Sequence, residues 1–246
     1  DCKMRMLFFS LVLILQIKVL NALEFQGKFI QGSFILGKTN PKSKIQIDSK
    51  KVRVSKDGFF AFGLDRDRKN DVVITVTKDG ETKTLQKKVL KRKYKIQRID
   101  GLPPKQVTPP PEVYERIKKD NKLIGKARSL NTPYDFFKDK FIYPIDKYII
   151  TGVYGSQRIL NGKPRRPHYG IDFHAPEGTP VKAMMDGKVT LAEDDMYFTG
   201  GTIIFDHGHG VSTLYMHMKD IDVKVGQKIK QGQIVGTLGQ SGRATG

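Results

Sequence analysis

Cysteine is almost missing from this chain: of 246 residues, one, Cys2, carries a thiol. It lies upstream of Met4 and Met6, either of which can serve as an initiator, so neither a disulfide nor a lipid-modified cysteine is expected. Apolar runs are short as well. The stretch from Leu7 to Ile17 has 11 residues, against the about 20 that a helix needs to cross a bilayer. With Lys3 and Arg5 before it and the small Ala22 near its end, residues 1–22 read as an export signal. Leu20 is bulky for the position three residues before a cut, which leaves an uncleaved N-terminal anchor as the alternative. Acidic residues are scarce, 25 against 44 Lys and Arg, for a formal charge of +19. Export argues against nucleic acid as the partner for that charge, and so does the lack of an aromatic-basic RNA motif or zinc-finger spacing.

The basic surplus is not spread evenly. Residues 24–130 hold 27 Lys/Arg against 12 Asp/Glu, whereas residues 131–246 hold 14 against 12. The N-terminal half is the part expected to meet an anionic surface of the cell envelope through long-range attraction. Lysines on the solvated faces of a sheet are the plainer account of the same charge. From Phe25 to Arg98 short β-branched runs alternate with turn signals, and Asp57-Gly58 and Asp79-Gly80 are hairpin dipeptides. Six or seven short strands in residues 24–100 predict a small β-sandwich-like domain.

Five prolines in GLPPKQVTPPP hold the next stretch extended and semi-rigid. From Glu112 to Leu130 apolar residues at 113, 117, 124, 127 and 130 recur at helical intervals, which predicts an amphipathic helix bracing two folding units. Linker and helix occupy residues 101–140. Beyond them, residues 141–246 show no helical period; strands are predicted over 148–154, 169–174, 181–191, 201–206, 211–217 and 234–238. The fold class is mostly β, with a compact antiparallel domain at the C-terminal end.

All five histidines fall between residues 168 and 217, which favours a site. His168 and Asp172 form an HxxxD pair, and Pro167 and Gly170 make a helix there improbable. In a straight strand the two residues would stand roughly 13 Å apart, too far for donors that must each lie about 2 Å from one metal ion. The chain must therefore bend, and Gly170 is the natural place. HxxxD is equally the pattern of a core histidine hydrogen-bonded to aspartate. In Thr213-Leu-Tyr-Met-His217, read as a strand, Thr213, Tyr215 and His217 share one face and Leu214 and Met216 point to the core. In Asp206-His-Gly-His-Gly the two glycines favour a tight hairpin turn over a His-x-His metal pair. His174 follows Asp172 by two and has no other motif support.

Three blocks in order, GSQRILNGKPRRPHYGIDFHAPEGTPVKAMMDGKV, GGTIIFDHGHGVSTLYMH and VKVGQKIKQGQIVGTLGQSGRATG, resemble the lysostaphin/LytM type of zinc peptidoglycan endopeptidase. The likeness covers residues 141–246, and HxGxD, DHGxG, YxH and VxxGQxxxxGQxxG are jointly much rarer than any one of them. It implies a duplicated-hybrid-motif β fold holding one Zn²⁺. Residue by residue, His168 and Asp172 match the first two zinc ligands and His217 matches the active-site histidine beside the metal. His207 matches a turn position. In the family a Thr-Gly such as Thr245-Gly246 is followed by a Pro-His-Leu-His type segment that brings the third ligand and a second active-site histidine, so residues 1–246 alone are expected to bind zinc weakly and to be inactive. Some members also place a tyrosine shortly before the first histidine; residues 160–166 contain none.

What the resemblance implies is hydrolysis of peptide cross-links in bacterial peptidoglycan, in the periplasm of a Gram-negative bacterium. The junction KYKIQRIDGLPPKQVTPP is similar to the accessory region of Gram-negative members and supports that address. The rival in the binding class is a LytM-type regulator without catalysis that activates a peptidoglycan amidase; such proteins lose metal ligands, whereas His168, Asp172 and His217 are present. A biotinyl or lipoyl carrier, suggested by VKVGQKIKQGQIVG, lacks the Met-Lys attachment pair.

Overall fold

The structure is a computed structural model and describes residues 23–102 and 108–244. The export signal read over residues 1–22, the centre of the proline-rich stretch and Thr245-Gly246 lie outside the described residues. The chain divides into two compact units between Arg92 and Lys93. Among the described residues no helix is long and apolar enough to cross a membrane.

Among the described residues the first unit has seven strands: β1 (Glu24–Gln26), β2 (Phe34–Lys38), β3 (Lys44–Ile47), β4 (Lys50–Val52), β5 (Phe59–Gly63), β6 (Val72–Lys78) and β7 (Glu81–Lys87). They form a three-stranded sheet, β1-β2-β5, and a four-stranded sheet, β4-β3-β6-β7. Alternate residues of both sheets meet in one core: Ile35 and Phe60 from one, Ile45, Ile47, Val72, Ile74 and Val76 from the other. Asp79-Gly80, at φ +50° and +82°, closes β6 on β7 as the dipeptide predicts. Asp57-Gly58 does not make a hairpin. It joins β4 of one sheet to β5 of the other, and Gly58 is required because a Cβ there would lie 1.9 Å from the Thr39 carbonyl oxygen. A tight turn not signalled by a glycine, Asp48-Ser49 at φ +47° and +66°, closes β3 on β4 instead.

The second unit begins with β8 (Ile96–Ile99) and among its described residues has one α-helix, α1 (Tyr114–Arg128). The strands that follow are β9 (Ile149–Gly152), β10 (Gln157–Leu160), β11 (Lys163–Pro164), β12 (Asp172–His174), β13 (Pro180–Lys182), β14 (Gly187–Met196), β15 (Gly200–Gly208), β16 (Val211–Ile221), β17 (Lys228–Ile229) and β18 (Ile234–Leu238). Six of them make an antiparallel sheet in the order β13-β18-β16-β15-β14-β17. The strand expected over 181–191 is two, interrupted at 183–186 where the chain changes neighbours. Both faces of this sheet are covered. One packs Val189, Ile203, Phe205, Tyr215 and Val235; the other carries Leu191, Met196 and Ile204 under Leu123, Ile124 and Ala127 of α1. The helix therefore covers the sheet of its own unit, and β8 pairs in parallel with β10 of the same unit. The proline-rich stretch thus runs between two elements of the second unit.

Candidate active site

His168 and Asp172 come together as the bend requires. His168 sits in a loop tied to residue 156, its N–H donating to the Ser156 carbonyl oxygen at 2.9 Å. The chain bends at Gly170, and Asp172 opens β12, which pairs with β9. His168 Nε2 and Asp172 Oδ1 then stand 3.0 Å apart. His168 is buried, and its Nδ1 has no hydrogen-bond partner. Asp172 faces Gly152 across the strand pair; a Cβ at 152 would lie 2.1 Å from Asp172 Oδ2, so the carboxylate occupies the space a side chain would take. Oδ2 also accepts from Arg158 Nη2 at 3.0 Å, which leaves Oδ1 as the oxygen turned to His168.

His217 reaches the same neighbourhood through a break in β16. The register with β15 shifts between the pairs Ile203 with Tyr215 and Gly201 with Met218, a bulge that disrupts simple alternation. Within it His217 adopts φ +62°, a conformation that costs a non-glycine residue on the order of 1–2 kcal/mol. The facing differs from the one expected: Tyr215 lies in the core, its hydroxyl accepting from the Met184 N–H at 2.7 Å, while Met216 is 38% exposed. Two bonds hold His217, its N–H to the Thr199 carbonyl oxygen at 2.8 Å and its Nδ1 to the Ser241 carbonyl oxygen at 2.7 Å. A carbonyl oxygen only accepts, so Nδ1 carries the proton and Nε2 keeps a lone pair. The Ser241 hydroxyl locks its own loop in place, accepting from the Gly201 N–H at 2.9 Å and donating to the Met218 carbonyl oxygen at 2.7 Å.

Electrostatics tie the residues together. Burial works to raise the Asp172 pKa, but the hydrogen bond and charge of His168, with Arg158 and His217, outweigh it and hold the carboxyl below its usual range. Burial of His217 lowers its pKa; the Ser241 carbonyl and Asp172 oppose that, and Arg158 and Arg243 add to it. Near neutral pH Asp172 therefore presents an ionised carboxylate and His217 a neutral imidazole. Zinc takes carboxylate and imidazole donors about 2 Å away at near-tetrahedral angles, so two ligands of one ion stand roughly 3.3 Å apart. The His168 Nε2 to Asp172 Oδ1 spacing of 3.0 Å fits. Among the described residues no group of three His, Cys, Asp or Glu side chains comes together as a metal-holding cluster.

The other histidines are elsewhere. His207 is fully buried on β15, its Nδ1 2.6 Å from the Asp186 carbonyl oxygen and its Nε2 2.8 Å from Thr213 Oγ1. The hairpin turn comes two residues further on, at His209-Gly210 with φ +53° and +80°, and the His209 ring lies 4.7 Å from that of Phe137. His174 is exposed on β12. Sequence reasoning missed Arg158, Gly152 and Ser241, since a lone arginine, glycine or serine outside a motif carries no signal of its own.

Residues 166–246 match the family described as Peptidase family M23. The peptidoglycan DD-endopeptidase ShyA of Vibrio cholerae is 39% identical over 106 residues, 42% of this chain and 24% of its own length. Glycyl-glycine endopeptidase ALE-1 of Staphylococcus capitis is 43% identical over 79 residues, 32% of this chain and 22% of its own. The match thus spans about a quarter or less of either relative. A Pseudomonas aeruginosa crystal structure assigned to peptidase M23 superposes with a TM-score of 0.68 at 26% identity, covering 89% of this chain and 86% of that one.

Proposed function

We infer, from a chain whose residues 166–246 form a peptidase family M23 domain, that it is a zinc-dependent endopeptidase hydrolysing peptide cross-links of bacterial peptidoglycan. The observation that supports this most is the convergence of His168 Nε2 and Asp172 Oδ1 at 3.0 Å, with His217 in their field. His168 and Asp172 would hold the ion, together with the histidine that the lysostaphin/LytM resemblance expects after Gly246. Bound there, zinc supplies a Lewis acid that lowers the pKa of water and polarises a carbonyl. The chain's own residues do the rest. Arg158 holds Asp172 Oδ2 so that the carboxylate offers one oxygen. His217 Nε2 takes the proton of the attacking water and later gives it to the leaving amine, while Nδ1 stays anchored on Ser241.

The resemblance and the export signal read over residues 1–22 favour the periplasm of a Gram-negative bacterium as the address, where the basic N-terminal half, 27 Lys/Arg against 12 Asp/Glu over residues 24–130, would favour anionic envelope material. The full-length protein, incubated with purified sacculi, should generate new amino termini without releasing reducing sugars. Chelation should stop the reaction and zinc restore it. Sacculi left intact by the zinc-loaded protein, or cleaved equally well after chelation, would contradict the reading.

A further inference from the structure

The turn between β14 and β15, residues 197–199, is bonded to three other segments. Thr199 presents its carbonyl oxygen to the His217 N–H at 2.8 Å, and Phe198 presents its own to the Arg243 N–H at 2.9 Å. The second of these bonds holds the loop that carries Ser241, whose carbonyl oxygen accepts from His217 Nδ1 at 2.7 Å. That loop lies so close to the turn that a Cβ at Gly242 would stand 2.4 Å from the Gly200 nitrogen. The backbone anchor and the ring anchor of His217 thus both rest on one turn. The third bond points away from the site: the Tyr197 N–H donates to Asp120 Oδ2 of α1 at 2.8 Å. One turn earlier on α1, Arg116 Nη2 donates to the Asp195 carbonyl oxygen at 2.6 Å and to Asp195 Oδ2 at 2.8 Å, which fixes the end of β14 from which the turn departs.

A non-glycine residue at φ +62° keeps that conformation only where its surroundings over-determine it. At His217 those surroundings are the turn and the Ser241 loop. We propose that Asp120 and Arg116 are positioning residues for His217, holding the 197–199 turn so that Nδ1 stays on the Ser241 carbonyl and Nε2 keeps its lone pair for the water's proton. A carboxylate suits the task, because its bond to a backbone N–H is charge-assisted and stronger than a neutral one. Asp120 lies outside the apolar contact that docks α1, which Leu123, Ile124 and Ala127 make with Leu191, Met196 and Ile204. Removing its carboxylate therefore frees the turn and leaves the helix in place. Because α1 precedes residues 166–246, the family match, part of the proton-transfer geometry is set from outside the segment that carries the motifs. This inference rests on the peptidase reading and adds residues on which its proton transfer depends.

The test uses the full-length zinc-loaded protein and a synthetic cross-linked stem-peptide dimer. Small misplacements of a reacting group are costly in rate, so Asp120→Ala should lower kcat by about 10–100-fold and Arg116→Ala by less, with KM and zinc content at wild-type levels. Asp120→Asn, whose amide oxygen still accepts from the Tyr197 N–H, should restore most of the loss. Nitrogen NMR of isotope-labelled histidine, with His217 assigned by its absence in His217→Ala, should show the Nδ1–H tautomer in the wild type and in Asp120→Asn, and mixed tautomers in Asp120→Ala. A carboxylate that only stabilised the fold would lower the urea midpoint and leave kcat and the His217 signals alone. Wild-type kcat and tautomer in both alanine variants, or an Asp120→Asn as slow as Asp120→Ala, overturns the proposal with the peptidase reading intact. Should Asp120→Ala not fold, Arg116→Ala decides, since its side chain is 45% exposed. A wild type that leaves the dimer intact overturns the peptidase reading, and the histidine spectra alone then decide whether α1 positions His217.

Discussion

Replacing His217 by glycine and, separately, by alanine removes the same imidazole from two chains that differ in backbone freedom. Both variants lose the bond from Nδ1 to the Ser241 carbonyl oxygen, so that cost cancels in the comparison. At φ +62° alanine is strained by roughly 1–2 kcal/mol and glycine is not. Glycine in turn pays about 0.5–1 kcal/mol more conformational entropy than alanine. The difference leaves His217→Gly more stable than His217→Ala by about 0.5–1 kcal/mol, the reverse of the order at an ordinary strand position. Urea denaturation followed by circular dichroism, with both variants fitted to a common slope, resolves a gap of this size from the midpoints. If alanine proves equal or superior to glycine, His217 is not held in a left-handed bulge.

Gly152→Ala should displace the Asp172 carboxylate, whose Oδ2 would lie 2.1 Å from the new Cβ. Zinc affinity should fall by roughly 10–100-fold with all proposed ligands intact, measured by competition with a chromophoric chelator. Burial holds the His207 pKa below 6.5, so the folded chain keeps the ring neutral where the unfolded chain protonates it. Stability should be full above pH 6.5 and decline as pH falls below it; His207→Gln should flatten that decline in denaturation series between pH 7 and pH 5. Binding of the whole protein to sacculi should weaken steeply as salt rises, because exposed charges are screened within about 8 Å at physiological ionic strength; an unchanged pull-down in high salt would remove the role given to the basic half.

The approach of His168 to Asp172 was legible in the sequence because it is local: Pro167 and Gly170 make a helix improbable, and a bend at Gly170 brings the two side chains within 3.0 Å. His217 was legible as a residue but not as a geometry. Its facing depends on a bulge fixed by pairing with β15 and by the loop holding Ser241, both long-range in sequence. Met216 was assigned to the core by alternation, which assumes an unbroken strand; the bulge turns it outward. Asp57-Gly58 has hairpin composition, yet its flanking strands join different sheets, so Gly58 answers to the close approach of Thr39. Arg158 became visible only through its 3.0 Å contact with Asp172.

The roles given to Asp172 and His217 separate most directly when zinc content and turnover are measured together in the full-length protein. Elemental analysis and peptide release from purified peptidoglycan should show Asp172→Ala losing both metal and activity. His217→Ala should retain the metal and lose turnover, because its part is to move a proton at Nε2. Zinc lost on His217→Ala, with activity retained in Asp172→Ala, would contradict the account.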